Sequence, residues 1–269
     1  MASTDLCTLA DVKAWLGRSD SNSDAVLTSL ITRTGRQIHS YLRRGLLLPR
    51  EVSEARDGTG GETLVLKHWP VLSVASVMIG SETIPQRSAL CASGWALEPW
   101  DGTPPGRAQT LSLAGFCFHR GALNVEIAYR TGYQIGAESQ TVANASATVL
   151  APYGAWASDG GVSYADGTPL TPVTAAPAIG QYQLTPNAPG SYTFNAGDNN
   201  ASVLITYGFV PADLADACIE LVSERFKYAQ RIGERTHSLG GNETIAFDTT
   251  RLTPLVVSLL QPYRHVLPI

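Results

Sequence analysis
The chain has 269 residues, with 19 basic against 23 acidic side chains, a formal charge of −4 and a hydrophobic fraction of 44%. At about 100–200 residues per domain, this length can bury one good core or two modest ones. The nearly balanced, slightly acidic charge excludes a general nucleic-acid clamp or a polybasic membrane binder, which need clustered Lys and Arg, and no apolar run approaches the roughly 18 residues of a membrane-spanning helix.

The first elements read as helices. Thr8 with Asp11 three residues later forms a capping-box pattern, Leu9, Val12, Trp15 and Leu16 supply an apolar stripe, and Gly17 is placed to end the turn. A second helix is expected from Ser23 or Asp24 to about Arg44, because Leu27, Leu30, Ile31, Thr34, Ile38, Tyr41 and Leu42 recur at helical spacing. Arg33, Arg36, Arg43 and Arg44 decorate it, either as a solvated face or as a contact for an acidic partner surface. Residues 62–130 read as strands, with candidates at 63–68 and 71–79 and a clear alternation at Leu123, Val125, Ile127 and Tyr129.

Residues 131–207 change character, containing four acidic residues and no Lys or Arg. Turn dipeptides at Asp159-Gly160, Asp166-Gly167 and Pro189-Gly190 separate short β stretches at 181–184, 191–194 and 201–207, so the block reads as small β structure. Similar strands frame it, VEIAYRTGY (125–133) and VLITYGFVP (203–211), which suggests a module inserted at a strand end. Beyond it, Pro211 opens a helix expected from Ala212 to about Ile232, apolar on one side and carrying Asp213, Asp216, Glu220, Glu224, Lys227 and Arg231 on the other, acidic first and basic last. A short helix at 253–260 precedes a proline-broken apolar tail, Gln261–Ile269, with no obvious core of its own to join.

No reactive constellation emerges. His39, His68, His119, His237 and His265 fall on different elements without metal-ligand spacing. Cys7, Cys91, Cys117 and Cys218 are scattered without a C-x-x-C pair and read as reduced thiols. The glycines at 58–61 lack the Lys-Ser/Thr of a phosphate loop, no nucleophile elbow is present, and Asp198-Asn199-Asn200 reads more simply as a turn than as a cation site. The N-x-S/T sequences at Asn144, Asn200 and Asn242 read as chance matches because residues 1–13 have no signal pattern. No catalytic residue, cofactor site or metal site is therefore assigned, and a binding or assembly role is expected rather than an enzyme.

Several segments resemble, in order and combination, the head-tail connector (adaptor) proteins of tailed double-stranded DNA bacteriophages. They are TLADVKAWLG (8–17), IHSYLRR (38–44), DGTGGETLVLKHWPVLSVASV (57–77), VPADLADACIELVSERFKYAQRIG (210–233) and LLQPYRHV (259–266). The resemblance covers roughly the first 130 and last 60 residues; the block 131–207 is a departure. It implies a structural virion protein that forms a ring, typically of twelve copies, below the portal protein. That ring would continue the DNA channel, pass double-stranded DNA without sequence-specific binding and offer a platform to a tail-completion or tail-tube protein. Such a subunit would be made in the host cytoplasm, end in the virion at the head-tail junction, and need neither cofactor nor membrane.

The combined expectation is an α+β fold with a helical bundle core assembled from both chain ends (1–48 plus 209–269), a β-rich sandwich- or barrel-like portion (49–130) and an inserted β-module (131–208). Within that reading Pro262, Tyr263, Arg264, His265, Val266, Leu267 and Ile269 are candidates for portal docking, and Asp213, Asp216, Glu220 and Glu224 for the channel wall. The rival reading is another tail or virion component whose β-module binds a receptor or carbohydrate. Exposed aromatic residues among Tyr153, Trp156, Tyr164, Tyr182 and Tyr192 would favour it, and core burial would not.

Overall fold
A computed structural model describes residues 4–45, 47–89, 91–98, 103–186, 188–228, 236–238, 244–246 and 252–265. The chain divides into two compact units, Met1–Leu46 with Pro211–Ile269, and Leu47–Val210.

In the first unit, helix α1 (Leu9–Leu16) begins where the sequence places it. Thr8 accepts from the Asp11 amide, Asp11 accepts from the Thr8 amide, and Gly17 at φ 65° closes the last turn. Helix α2 (Asp24–Leu42) buries Leu27, Ile31, Thr34, Ile38 and Leu42 along one face. Gly35 tolerates the helix interior because a Cβ there would collide with the Thr4 carbonyl. Helix α3 (Ala212–Tyr228) buries Leu214, Ala217, Cys218, Leu221 and Val222 and packs against α1, α2 and α4 (Pro254–Leu260). Arg225 ties α3 to α2, donating to Thr34 Oγ1 at 3.2 Å and to Gln37 Oε1. Thr253 caps α4 by accepting from the Val256 amide, and Pro254 occupies the first turn.

The strands in chain order are β1 (Arg50–Gly58), β2 (Thr63–Val65), β3 (Val71–Ile79), β4 (Glu82–Ile84), β5 (Gly94–Glu98), β6 (Thr110–Ala114), β7 (Gly121–Thr131), β8 (Gln134–Thr141), β9 (Ser146–Thr148), β10 (Gly154–Tyr164), β11 (Thr171–Pro172), β12 (Gln181–Leu184), β13 (Ser191–Phe194), β14 (Ser202–Pro211), β15 (Thr236–Ser238) and β16 (Thr244–Ala246). The orders β1-β7-β3-β4 and β2-β6-β5 use only the first seven strands, whereas β10-β14-β8 and β11-β12-β13-β9 use only the next seven; β15 and β16 pair with each other. The first two sheets share a core of Leu64, Leu66, Val71, Val77, Ile79, Trp95, Leu111, Leu113, Phe118, Val125, Ile127 and Tyr129.

The expected helical bundle core from both chain ends is overturned. Strand outweighs helix, 39% against 25%, and the four helices among the described residues have only 8, 19, 17 and 7 residues. The fold is mainly β. Helices with one clean apolar stripe stand out in a sequence, whereas β3 carries apolar residues in both phases and β1 places Arg50, Glu54 and Arg56 in the same phase as Val52. The amount of sheet was therefore underweighted.

Candidate functional site
The first part of the candidate docking tail has a core to join. Pro262 and Tyr263 lie in a 3₁₀ turn, Gln261–Tyr263, that continues α4. Tyr263 is buried, and its hydroxyl donates to Asp213 Oδ2 at 2.9 Å. The Arg264 guanidinium lies 5.4 Å from the centre of the Tyr41 ring, and the His265 amide donates to the Leu42 carbonyl at 2.8 Å. This seating is legible in hindsight, because Val256, Leu260 and Tyr263 follow i, i+4, i+7 spacing and all three are buried. Val266, Leu267 and Ile269 lie outside the described residues.

The candidate channel-wall residues share one side of α3 but differ in surroundings. Asp213 is engaged by Tyr263, whereas Asp216 and Glu220 edge a groove of about 310 Å³ lined by Trp15, Ile219, Leu255 and Leu259. Glu224 is exposed near the other end of the helix. Trp15, expected within the buried stripe of α1, is instead 64% exposed, and Leu255 is 59% exposed. On α2, the residues Val26, Ser29, Arg33, Arg36, Ser40 and Arg43 are all exposed. Their spacing of three and four places them on one stripe, about half a turn round the helix from Leu27, Ile31, Thr34 and Ile38. Arg44, the fourth member of the expected cluster, is buried.

In residues 134–211 the aromatic side chains serve the core. Tyr182 and Tyr192 are 1% and 0% exposed, and their hydroxyls donate to Asp159 at 2.6 and 3.2 Å. Trp156 Nε1 donates to the Tyr192 hydroxyl at 3.0 Å. Tyr207 donates to Glu138 Oε2 and Tyr164 to Asp198 Oδ1, each at 2.6 Å. All four phenols are held above their ordinary pKa, chiefly by burial for Tyr182, Tyr192 and Tyr207 and by the Asp198 hydrogen bond for Tyr164. Tyr153 is more open, packing on Phe209 with ring centres 6.1 Å apart. Burial takes Tyr182 and Tyr192 out of the exposed platform that the receptor or carbohydrate reading requires, while Trp156 and Tyr164 are half-buried and Tyr153 is exposed.

In the turn at Asp198-Asn199-Asn200, Asp198 Oδ1 accepts from the Tyr164 hydroxyl at 2.6 Å and Asn199 Oδ1 from the Ala145 amide at 2.7 Å. Among the described residues no three His, Cys, Asp or Glu side chains converge as a metal site, and no helix is long and apolar enough to cross a membrane. Cys117 Sγ lies 3.2 Å from His119 Nδ1 on the loop before β7, but His119 is exposed and among the described residues no third side chain orients its imidazole. A second pocket, of about 410 Å³, is lined by Leu72, Val74, Gln86, Arg87, Trp95 and Leu97 among others, with no carboxylate, His or Cys to do acid–base work.

No family model matches the chain, and no curated protein does. Among solved structures, a chain described as the neck of an empty GTA particle computed with C6 symmetry aligns with 98% of this chain and 92% of its own length, at 12% identity and a TM-score of 0.33.

Proposed function
We propose that the protein is a structural subunit of a tailed-phage-like virion. It would join copies of itself in a ring of about twelve below the portal protein, so that the ring continues the DNA passage and receives a tail-completion or tail-tube protein. The ordered sequence resemblance over residues 8–77 and 210–266 supports this reading. In that reading, 1–48 with 209–269 forms the assembly body, 49–130 a β portion and 131–208 an added β-module.

The observation that carries the proposal is the outer surface of the helical unit. It keeps Trp15 and Leu255 largely exposed beside Asp216 and Glu220, and sets a row of arginines on α2. Large apolar side chains left open beside unpaired charge mark a surface made for partners. If portal docking also uses the end of the chain, it uses residues beyond His265, because Tyr263 and the His265 backbone are already engaged within the unit.

The test is genetic and morphological. Particles made without this protein should yield DNA-filled heads and free tails that fail to join, and supplying the protein should restore joining. Normally tailed particles in its absence would refute the role.

A further inference from the structure
We propose that the acidic-edged groove of one copy receives the arginine stripe of α2 from the next, a contact that rests on the ring reading and gives it two specific surfaces. The groove offers Trp15, Ile219, Leu255 and Leu259 as its apolar lining and Asp216 and Glu220 as its edge. Neither acid has an ion-pair partner among the described residues, and neither do Arg33, Arg36 and Arg43. Near the start of the unit Lys13 meets Asp24 at 2.8 Å and Arg18 meets Asp20 at 3.1 Å. Around the groove the unpaired charge is acidic, and along the α2 stripe it is basic, Lys227 lying at the far end of α3; opposite signs on two patches are the pattern of electrostatic complementarity between surfaces.

The shapes of the two surfaces agree with their charges. The α2 stripe starts with Val26, 55% exposed, and rises through Arg33 and Arg36. It therefore presents an apolar end and two long aliphatic stems tipped with guanidinium. An arginine laid over Trp15 gains a cation–π contact while its head reaches Asp216 or Glu220. The α2 stripe lies about half a turn round the helix from the buried residues Leu27, Ile31 and Ile38 and is not among the residues that line the groove of its own unit. Two different patches meeting between identical chains make a head-to-tail contact, which closes into a ring when the rotation per copy divides a full turn. This assigns Asp216 and Glu220 to the wall between copies rather than to the wall of the DNA passage.

The test uses the full-length chain in sedimentation velocity across protein concentration. Variant one carries Arg33→Glu with Arg36→Glu; variant two carries Asp216→Lys with Glu220→Lys. Each alone should weaken association at least about tenfold. An equimolar mixture should recover it, because each inverted face then meets its inverted complement and each native face its native one. Circular dichroism and urea midpoints near those of the wild type establish that the variants fold. Unchanged association in both variants would overturn the contact while leaving the ring reading intact. A lower urea midpoint confined to variant two, with association unchanged, would show the groove filled by the chain's own segment. A wild type that stays monomeric up to about 1 mM would overturn the contact and the self-assembly it depends on.

Discussion
Strands β7 and β14 make the same device in two settings. Val125, Ile127 and Tyr129 on one, and Val203, Ile205 and Tyr207 on the other, are all fully buried. Each tyrosine hydroxyl accepts from a backbone amide, of His68 or Ala151, and donates to a glutamate, Glu54 or Glu138. The settings differ in what else meets the carboxylate. Arg56 lies 3.8 Å from Glu54, whereas residues 131–207 contain no Lys or Arg at all. Glu138 instead accepts from the Leu150 amide at 2.7 Å and the Gln140 amide group at 2.9 Å. Three of the four acids in that block, Glu138, Asp159 and Asp198, take a short phenol hydrogen bond in place of a cation. A β-module can thus hold interior carboxylates without basic residues, provided tyrosines supply the donors.

The comparison breaks most sharply at Asp159. Replacing it with Ala strands the Tyr182 hydroxyl and the Gly161 amide and removes an acceptor from Tyr192. A loss of about 3 kcal/mol in urea unfolding is expected. Tyr207→Phe should cost about 2 kcal/mol, because it removes the shortest bond to Glu138 and the acceptor for the Ala151 amide. Tyr129→Phe should cost about 1 kcal/mol, since Arg56 remains beside Glu54. Equal costs for the two tyrosines would show that the missing cations are of no consequence.

Alkali acts on both settings alike, because burial also holds the Tyr129 phenol above its ordinary value. Buried phenols whose pKa lies above the ordinary 10.0 favour the protonated, folded state. Their contribution is complete below pH 10 and is lost as pH rises through the folded values, because the unfolded chain releases those protons first. Titration of tyrosine absorbance should therefore show a late, cooperative step coinciding with loss of near-ultraviolet dichroism. The smallest effect is expected in the helical unit at the acid end. Burial holds the His39 imidazole below its ordinary 6.5, so the unfolded state binds the proton first and stability declines as pH falls below about 6.5. His39→Gln should flatten the urea midpoint between pH 7 and pH 5 if that is the cause.

Local signals carried much of the secondary structure. The Thr8–Asp11 box, the Gly17 stop and Pro211 before α3 are signals written in three or four neighbouring residues, and each lies where the sequence places it; the last helix, expected over 253–260, starts at Pro254 with Thr253 as its cap. Strands β3, β7, β12, β13 and β14 were likewise visible by alternation or by their flanking turns. What stayed hidden depends on distant partners. The burial of Tyr263 needs Asp213, fifty residues away in sequence. Trp15 was assigned inward because α1 has only two turns on which to judge a face. The grouping of Asp216 and Glu220 with Leu255 is set by how α4 lies on α3, which no spacing encodes. The Tyr182–Asp159–Tyr192 network was equally invisible, since the composition of the block shows only that cations are missing.

The proposed role requires the helical unit to stand beside copies of itself around an axis. The most direct measurement is end-on image averaging of the purified chain after chemical cross-linking at high concentration. Closed rings with a central opening, lost in the Arg33→Glu/Arg36→Glu variant and regained on mixing it with the Asp216→Lys/Glu220→Lys variant, are the predicted result. Open filaments, or solitary molecules throughout, would contradict it.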